Sequence, residues 1–291
     1  MTSGENGLFP YDILEHEDGF IYFTGNLAVK GAPDRKRGYI AKLSPDGYLV
    51  DSTTFEMEDK TVVFTQIHPS PEGGFVLVGY TCDTNHISNY NAAFLFAKMD
   101  ENLALSQITF HPLPAHYRIW ILNSRLINNQ QLYLFGGFPI GEHPGPRAVM
   151  YKFDLEFDSI ADKAYDFPGA VTDMRKLPNG EYWTANILPW RYMHLDTAFN
   201  LLEFYPTPRF LSAQLNTKWD SDTSFYMLAK ISSHNLCFIK QHHPFDTTNH
   251  LFNMWRPSDT LDYPAPFHGI DFNHKDSIFM GGYTEFRFMV T

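Results

Sequence analysis

The sequence predicts an all-β protein, a six-bladed β-propeller of four-stranded antiparallel blades whose last blade is incomplete. Three observations support this fold class. A short apolar run returns six times along the 291 residues, a tight turn precedes each run, and a basic residue recurs about every 50 residues. No segment has the period of an amphipathic helix, which argues against a parallel α/β sheet.

The apolar run is exemplified by GGFVLVGYT, residues 73–81. Five further segments resemble it, and they lie at 18–26, 131–138, 180–187, 224–231 and 277–284. Each run is nearly unbroken instead of alternating, which is typical of a strand buried on both faces. We therefore expect each run to be the second strand of a blade, packed between its neighbours.

Turn residues and a basic column complete each unit. Asp-Gly in HEDG (16–19) and Asn-Gly in LPNG (177–180) supply the positive φ that tight hairpins require. After each run come a loop, a third strand and a second hairpin. The recurring basic position there is occupied by Lys42, Lys98, Lys152, His194 and Lys240. Because it recurs in every blade, we interpret it as structural, with the lysines pairing with acids such as Asp46 or Asp100.

We expect a single domain over residues 1–291. The six blades are predicted at about 8–56, 62–111, 118–166, 169–206, 209–256 and 264–291. The sequence ends where the sixth blade would reach the basic column, so its fourth strand is not seen. An unpaired strand edge is usually covered, and we expect the N-terminal segment or a partner to pair there.

Composition narrows the class of partner. The net charge of −11 argues against a nucleic-acid backbone. The basic cluster Arg35, Lys36 and Arg37 is predicted to be a solvated loop. No run approaches the length of a membrane helix, and no signal peptide is visible at the start. Cys82 and Cys237, about three blades apart, are not expected to form a disulfide. The sequence leaves the cellular compartment of the protein undetermined.

Particular motifs carry a resemblance to known families. GGFVLVGYT with FAKMDENLAL, and GFIYFTG with IAKLSPDGYLV, resemble bacterial β-propellers built of G-G-F-x-x-x-G-Y-T … K-L-D-x-x-G-x-L repeats. YLFGGF followed by MYKFDLEF, and IFMGGYT, are similar to kelch repeats. Blades four and five depart from the pattern, at His194 and at HHPFDTTNH. The resemblance implies the propeller fold and an exported or surface-attached protein, and it implies no particular reaction.

The candidate site follows from the loops. The second-to-third loops of blades one to three are predicted to be long, at 26–38, 81–93 and 138–148. Long loops on a rigid scaffold often carry binding residues, although they can also be tolerated insertions. We place a ligand on this loop face, beside blades two and three. The candidate ligand-binding residues are Tyr90, His111, His116, Arg118, Trp120, His143, Arg147 and Trp190.

These residue types suit particular ligands. Aromatic rings with polar edges bind sugars or peptides, and arginine binds carboxylates bidentately. His86, His111 and His143 are weak candidates for a metal site, because no H-E-x-x-H motif supports them and two of them precede proline. No metal or other cofactor is therefore expected.

Three functions stay open at this point. We favour a non-catalytic module that binds a peptide, protein or glycan on the loop face. The alternative is a metal-assisted lyase or hydrolase that acts on an acidic sugar through the loop-face histidines. A third is a structural member of a cell-surface assembly. No G-x-S-x-G motif supports serine hydrolysis.

Overall fold

A computed structural model describes most of the chain. The described residues are 7–29, 32–83, 91–114, 119, 121–139, 146–187, 191–206, 213–219, 224–232, 235–242, 249–255, 267–272, 278–284 and 287–290. All regular secondary structure within these ranges is β-strand. Across the same ranges, no helix has the length and apolar character needed to cross a bilayer.

The strands of the first half form three four-stranded sheets. The first sheet consists of β1 (Leu8–Glu15), β2 (Ile21–Val29), β3 (Ala32–Leu43) and β4 (Leu49–Phe55). The second consists of β5 (Lys60–Pro69), β6 (Phe75–Asp83), β7 (Ala93–Met99) and β8 (Leu105–Pro112). The third consists of β9 (Ile121–Ile127), β10 (Gln131–Pro139), β11 (Pro146–Phe153) and β12 (Ser159–Pro168).

Two four-stranded sheets and one three-stranded sheet follow. The fourth sheet consists of β13 (Ala170–Lys176), β14 (Tyr182–Ile187), β15 (Arg191–Leu195) and β16 (Leu201–Pro206). The fifth consists of β17 (Ala213–Trp219), β18 (Ser224–Ser232), β19 (Asn235–His242) and β20 (Asn249–Trp255). The sixth, within the described residues, consists of β21 (Phe267–Phe272), β22 (Ile278–Thr284) and β23 (Arg287–Val290).

Strand order follows chain order in all six sheets, so each is a meander with its first strand at one edge. This arrangement confirms the predicted propeller fold and its incomplete last blade. The strands divide between two compact units. The first comprises Met1–Leu134, Phe138–Gly145 and Lys152–Ile160, and the second comprises Phe135–Gly137, Pro146–Tyr151 and Ala161–Thr291.

A β-bulge recurs in the first strand of each sheet whose register is described. It lies between Pro10 and Asp12, Phe64 and Gln66, Val171 and Asp173, Gln214 and Asn216, and Phe267 and Gly269. The bulged main chain comes close to the second strand. A Cβ at Gly79 would lie 2.0 Å from the Val63 carbonyl oxygen, and one at Gly25 would lie 2.2 Å from that of Phe9. The close approach explains why these apolar runs carry glycine.

The second hairpins of the second, third and fourth sheets each carry a buried apolar side chain at positive φ. Asp154 Oδ1 accepts hydrogen bonds from the backbone N–H groups of Glu156 and Asp158, at 3.0 and 2.9 Å, and this fixes the turn. Phe157 then adopts a φ of 68° and is fully buried. Its ring stacks on Phe96 of the second sheet, with centroids 5.0 Å apart. The corresponding turns place Leu103 and Phe199 at φ 64°. The turn therefore directs an apolar side chain back toward the preceding sheet.

The basic column pairs with acids, as predicted, but with different ones. Lys42 lies 3.5 Å from Asp18. Lys98 lies 3.2 Å from Glu72 and 3.4 Å from Glu156. Asp100, expected as a partner, instead accepts hydrogen bonds from its own turn, and no described contact joins Asp46 to a lysine. Asp18 and Glu72 belong to the first hairpin of the same sheet, which lies beside the lysine because the second and third strands pair there. Glu156 belongs to the second hairpin of the third sheet.

The basic cluster of the first sheet was wrongly predicted to be a loop. Strand β3 begins at Ala32, so Arg35, Lys36 and Arg37 belong to a paired strand, and the β2–β3 connection is 30–31 instead of 26–38. Arg35 forms an ion pair with Glu56 at 2.7 Å. Glu56 thus neutralises part of this charge, and the three basic residues are accommodated on a paired strand.

The other two predicted loops, of the second and third blades, agree with the structure to different extents. The β6–β7 connection spans 84–92, close to the predicted 81–93. The β10–β11 connection spans 140–145, shorter than the predicted 138–148, because both strands extend further than expected.

Candidate functional site

The predicted ligand-binding residues fall mostly outside the part of the chain that the structure describes. His111 and Arg147 are described. The other ligand-binding candidates, and the weak metal candidate His86, lie outside the described residues: His86, Tyr90, His116, Arg118, Trp120, His143 and Trp190.

His111 lies near the end of β8, opposite Phe94 of β7. Its ring packs edge-on against Phe96 and Phe153, with centroids 5.6 and 5.1 Å away. Its Nε2 is buried and has no hydrogen-bond partner among the described residues. No group of three or more His, Cys, Asp or Glu side chains that could hold a metal occurs in the described ranges. The described surroundings of His111 are those of a packed aromatic residue.

Arg147 already has a carboxylate partner. Its guanidinium forms an ion pair with Asp166 on the neighbouring strand β12, at 2.6 Å. The Asp166 side chain is 98% exposed, so the pair lies at the surface and contributes little to stability. A ligand carboxylate would have to displace Asp166, and a binding role for Arg147 therefore stays a prediction.

Cys82 is buried and is not in a disulfide bond, as predicted. Burial, with the neighbouring Asp83 carboxylate, raises the pKa of the Cys82 thiol from 9.0 to about 11. The thiolate is the reactive form of cysteine. Cys82 is therefore a packing residue and a poor nucleophile at neutral pH.

This pKa gives a prediction about stability at high pH. Between pH 9 and 11 the thiol ionises in the unfolded chain but stays protonated in the folded chain, so the folded state loses stability as the pH rises. We expect Cys82 to account for a loss of about 2 kcal/mol by pH 11. Urea unfolding of the wild type and Cys82→Ala at pH 8 and 11 measures the difference. Equal losses in the two proteins would contradict the raised pKa.

A polar group that the sequence analysis missed lies on the first strands of the first unit. We call it the first-strand strip, and its members are Asp12, Gln66, His68, Asn123 and Ser124. Asp12 Oδ2 accepts the backbone N–H of Ile67 at 3.1 Å. Gln66 Nε2 donates to Asn123 Oδ1 at 3.2 Å, and His68 Nε2 lies 2.7 Å from Ser124 Oγ. The strip thus connects β1 to β5, and β5 to β9.

The bulge determines which residues enter the strip. The residue directly after the bulge is polar in four sheets, and these residues are Asp12, Gln66, Asp173 and Asn216. A bulge re-aims the side chains that follow it. The bulged residue can bond the opposite strand, as Thr65 Oγ1 does by donating to the Val78 carbonyl at 3.3 Å. Strand β5 lies at an edge of its sheet, and Asp12 of β1 accepts one of its outward N–H groups, that of Ile67.

The strip offers mixed hydrogen-bonding chemistry. Asp12, Gln66, His68 and Asn123 are half-buried. Gln66 Oε1 is a buried atom that has no partner among the described residues. Amide, imidazole and carboxylate groups together supply both donors and acceptors. Ser124 is only 6% exposed, so its contact with His68 joins two strands and does not present a nucleophile. The arrangement suits a ligand that both donates and accepts hydrogen bonds.

The signal for the strip was present in the sequence. A polar residue stands at the same place in five of the six first strands, in YDI (11–13), TQI (65–67), LNS (122–124), TDM (172–174) and LNT (215–217). The apolar second strands give the stronger hydropathy signal. The sequence analysis therefore placed the ligand on the loops that follow these strands.

Comparisons with known proteins identify the fold and no family. No protein-family model and no curated protein matches the chain, so the kelch resemblance is not confirmed. Solved structures do match. A puromycin hydrolase aligns at a TM-score of 0.55 and 12% identity, over 95% of this chain and 42% of the hydrolase. A virginiamycin B lyase from Staphylococcus aureus aligns at 0.52 and 10%, over 98% of this chain and 88% of the lyase.

A Trypanosoma rangeli sialidase also aligns, at a TM-score of 0.52 and 10% identity, over 98% of this chain and 53% of the sialidase. The chain thus spans about half the length of the sialidase and less of the hydrolase. At such identities the likeness shows the β-propeller fold alone, because one fold carries many unrelated functions.

Proposed function

We propose that this protein is a non-catalytic binding module for a peptide, a protein or a glycan, and that the ligand contacts the first-strand strip. The observation that supports this is the alignment of half-buried polar side chains along three neighbouring edge strands, β1, β5 and β9. Polar side chains at a strand edge offer hydrogen bonds beside main-chain groups, which is the chemistry of peptide and glycan recognition.

The residues predicted from the sequence extend this proposed site. Tyr90, Trp120 and Trp190 would stack on sugar rings or peptide side chains, and Arg118 would hold a carboxylate. We propose Tyr90, Arg118 and Trp120, with His116 and His143, as loop-face contributors to that ligand. Trp190 belongs to the second unit, and we propose it as a ligand contact by itself. A protein partner that adds a strand to β23 is a further form of the binding role.

The alternative function is a metal-assisted lyase or hydrolase that acts on an acidic sugar. The observation in its favour is that the matching propellers include proteins named as a lyase, a hydrolase and a sialidase. Elemental analysis of the purified protein separates the two functions. Stoichiometric zinc, manganese or iron that is lost in His111→Ala would favour the enzyme, since a binding strip of amides requires no metal.

The binding role predicts a specific loss on mutation. We expect Gln66→Ala and Asn123→Ala each to weaken binding of a ligand found on a glycan or peptide array by about tenfold, because each removes an amide that bonds the ligand. Gln107→Ala is the matched control. Gln107 lies on the outer strand β8, and its Nε2 donates a hydrogen bond to Glu156 Oε2 at 2.8 Å. Isothermal titration calorimetry measures the affinities.

The same array ligand tests the location. If Gln66→Ala and Asn123→Ala bind as tightly as Gln107→Ala, while Trp120→Ala loses binding, the site lies on the loop face and the strip is only structural. Circular dichroism of each variant confirms that a loss of binding does not reflect unfolding.

A further inference from the structure

Two side chains of β2 are buried without hydrogen-bond partners. Asn26 and Thr24 are both 0% exposed. Asn26 Oδ1, Asn26 Nδ2 and Thr24 Oγ1 have no partner among the residues that the structure describes. Buried polar groups in folded proteins nearly always have a partner, and an unpartnered one destabilises the fold. Three such atoms on one strand therefore require an explanation.

The two side chains point to the same face of the sheet, because they are two residues apart on one strand. Tyr22 lies on that face also and packs against Phe75 of the second sheet, with ring centroids 4.3 Å apart. Asn26 and Thr24 therefore lie between the first and second sheets, inside the first unit.

The surroundings of this position are apolar on the protein side. Gly38 lies opposite Asn26 in β3, and the Phe64 ring occupies the place where a side chain at Gly38 would lie, 2.6 Å from its Cβ position. Val62 also packs there. None of these groups can satisfy an amide or a hydroxyl.

We propose that Asn26 and Thr24 bind a buried water molecule between the first and second sheets. A buried water typically makes about three hydrogen bonds to groups that otherwise lack partners, and this site presents three such atoms. The amide supplies one acceptor and one donor group, and the hydroxyl supplies either. The water joins two side chains of one strand and completes the polar interior of this packing layer.

The Asn26→Leu variant distinguishes a site that holds a water molecule from a dry one. In a hydrated site Asn26→Leu breaks a satisfied network, and we expect the melting temperature to fall by about 2–6 °C. In a dry site the same change removes two unsatisfied atoms, and the melting temperature would rise. Asn186→Leu is a comparison variant in the fourth sheet. Asn186 Nδ2 donates to Thr184 Oγ1 at 3.4 Å, whereas Asn186 Oδ1, like Asn26 Oδ1, has no partner among the described residues, so this variant measures the change when one side-chain hydrogen bond is present.

The double variant tests whether one water serves both residues. We expect Thr24→Val with Asn26→Leu to lose less than the sum of the single losses, because each change alone disturbs the same water. A crystal structure of the wild type gives the direct answer. Solvent density within about 3.2 Å of both side chains is expected, and its absence in a high-resolution map, or a higher melting temperature of Asn26→Leu, would overturn the proposal.

Discussion

Replacing Gly79 by alanine will lower the free energy of unfolding by about 3 kcal/mol or more. A Cβ at this position would lie 2.0 Å from the Val63 carbonyl oxygen and 2.9 Å from the Phe64 Cα. Both atoms belong to the bulged main chain of β5, so no side-chain rotation relieves the contact. The first strand must move away from the second, which disrupts the bulge and the strip that follows it.

Gly73→Ala is the control for this prediction. Gly73 has a φ of 93°, and nothing lies within 4 Å of its Cβ position, so alanine there meets backbone strain without a steric clash. We expect a loss of about 1 kcal/mol. Urea unfolding at constant pH measures both variants. Similar losses at the two glycines would show that the bulge does not approach β6 as closely as described.

Replacing Phe157 by alanine will cost about 3–5 kcal/mol. The ring is fully buried and contacts Phe96 of the second sheet. Its backbone, however, has a φ of 68°, which glycine adopts more easily than alanine. We therefore expect Phe157→Gly to be more stable than Phe157→Ala by about 1 kcal/mol, the reverse of the usual order.

Thermal and urea unfolding of these two variants give the comparison. The alanine and glycine variants lose the same ring, so their difference reports the backbone alone. A glycine variant less stable than the alanine variant would show that the turn does not hold residue 157 at positive φ.

The apolar second strands were predictable because their signals are local. The run at 131–138 became β10 (Gln131–Pro139), and the run at 73–81 became β6 (Phe75–Asp83). Each is bounded by turn residues that fix where the hairpin reverses. The sixth sheet was expected from the same spacing, and within the described residues it consists of β21 to β23.

Features that depend on neighbouring strands were not predictable. Charge in Arg35, Lys36 and Arg37 predicted a loop, but Glu56, on the connection after β4, neutralises part of it. The recurring polar residue of the first strands is visible in the sequence, but the bulges beside it and its contacts with other sheets are visible only in the structure. Gln66 looks like an ordinary strand residue until its hydrogen bond to Asn123 is known.

The central claim is that the first-strand strip contacts a ligand, and hydrogen exchange tests it most directly. The probe is the tightest ligand from the glycan or peptide array, and exchange is measured with and without it. The account predicts slower exchange at residues 8–15, 60–69 and 121–127 on addition of the ligand. Protection confined to residues 278–290, the edge of the sixth sheet, would contradict it and place the interaction on an added strand.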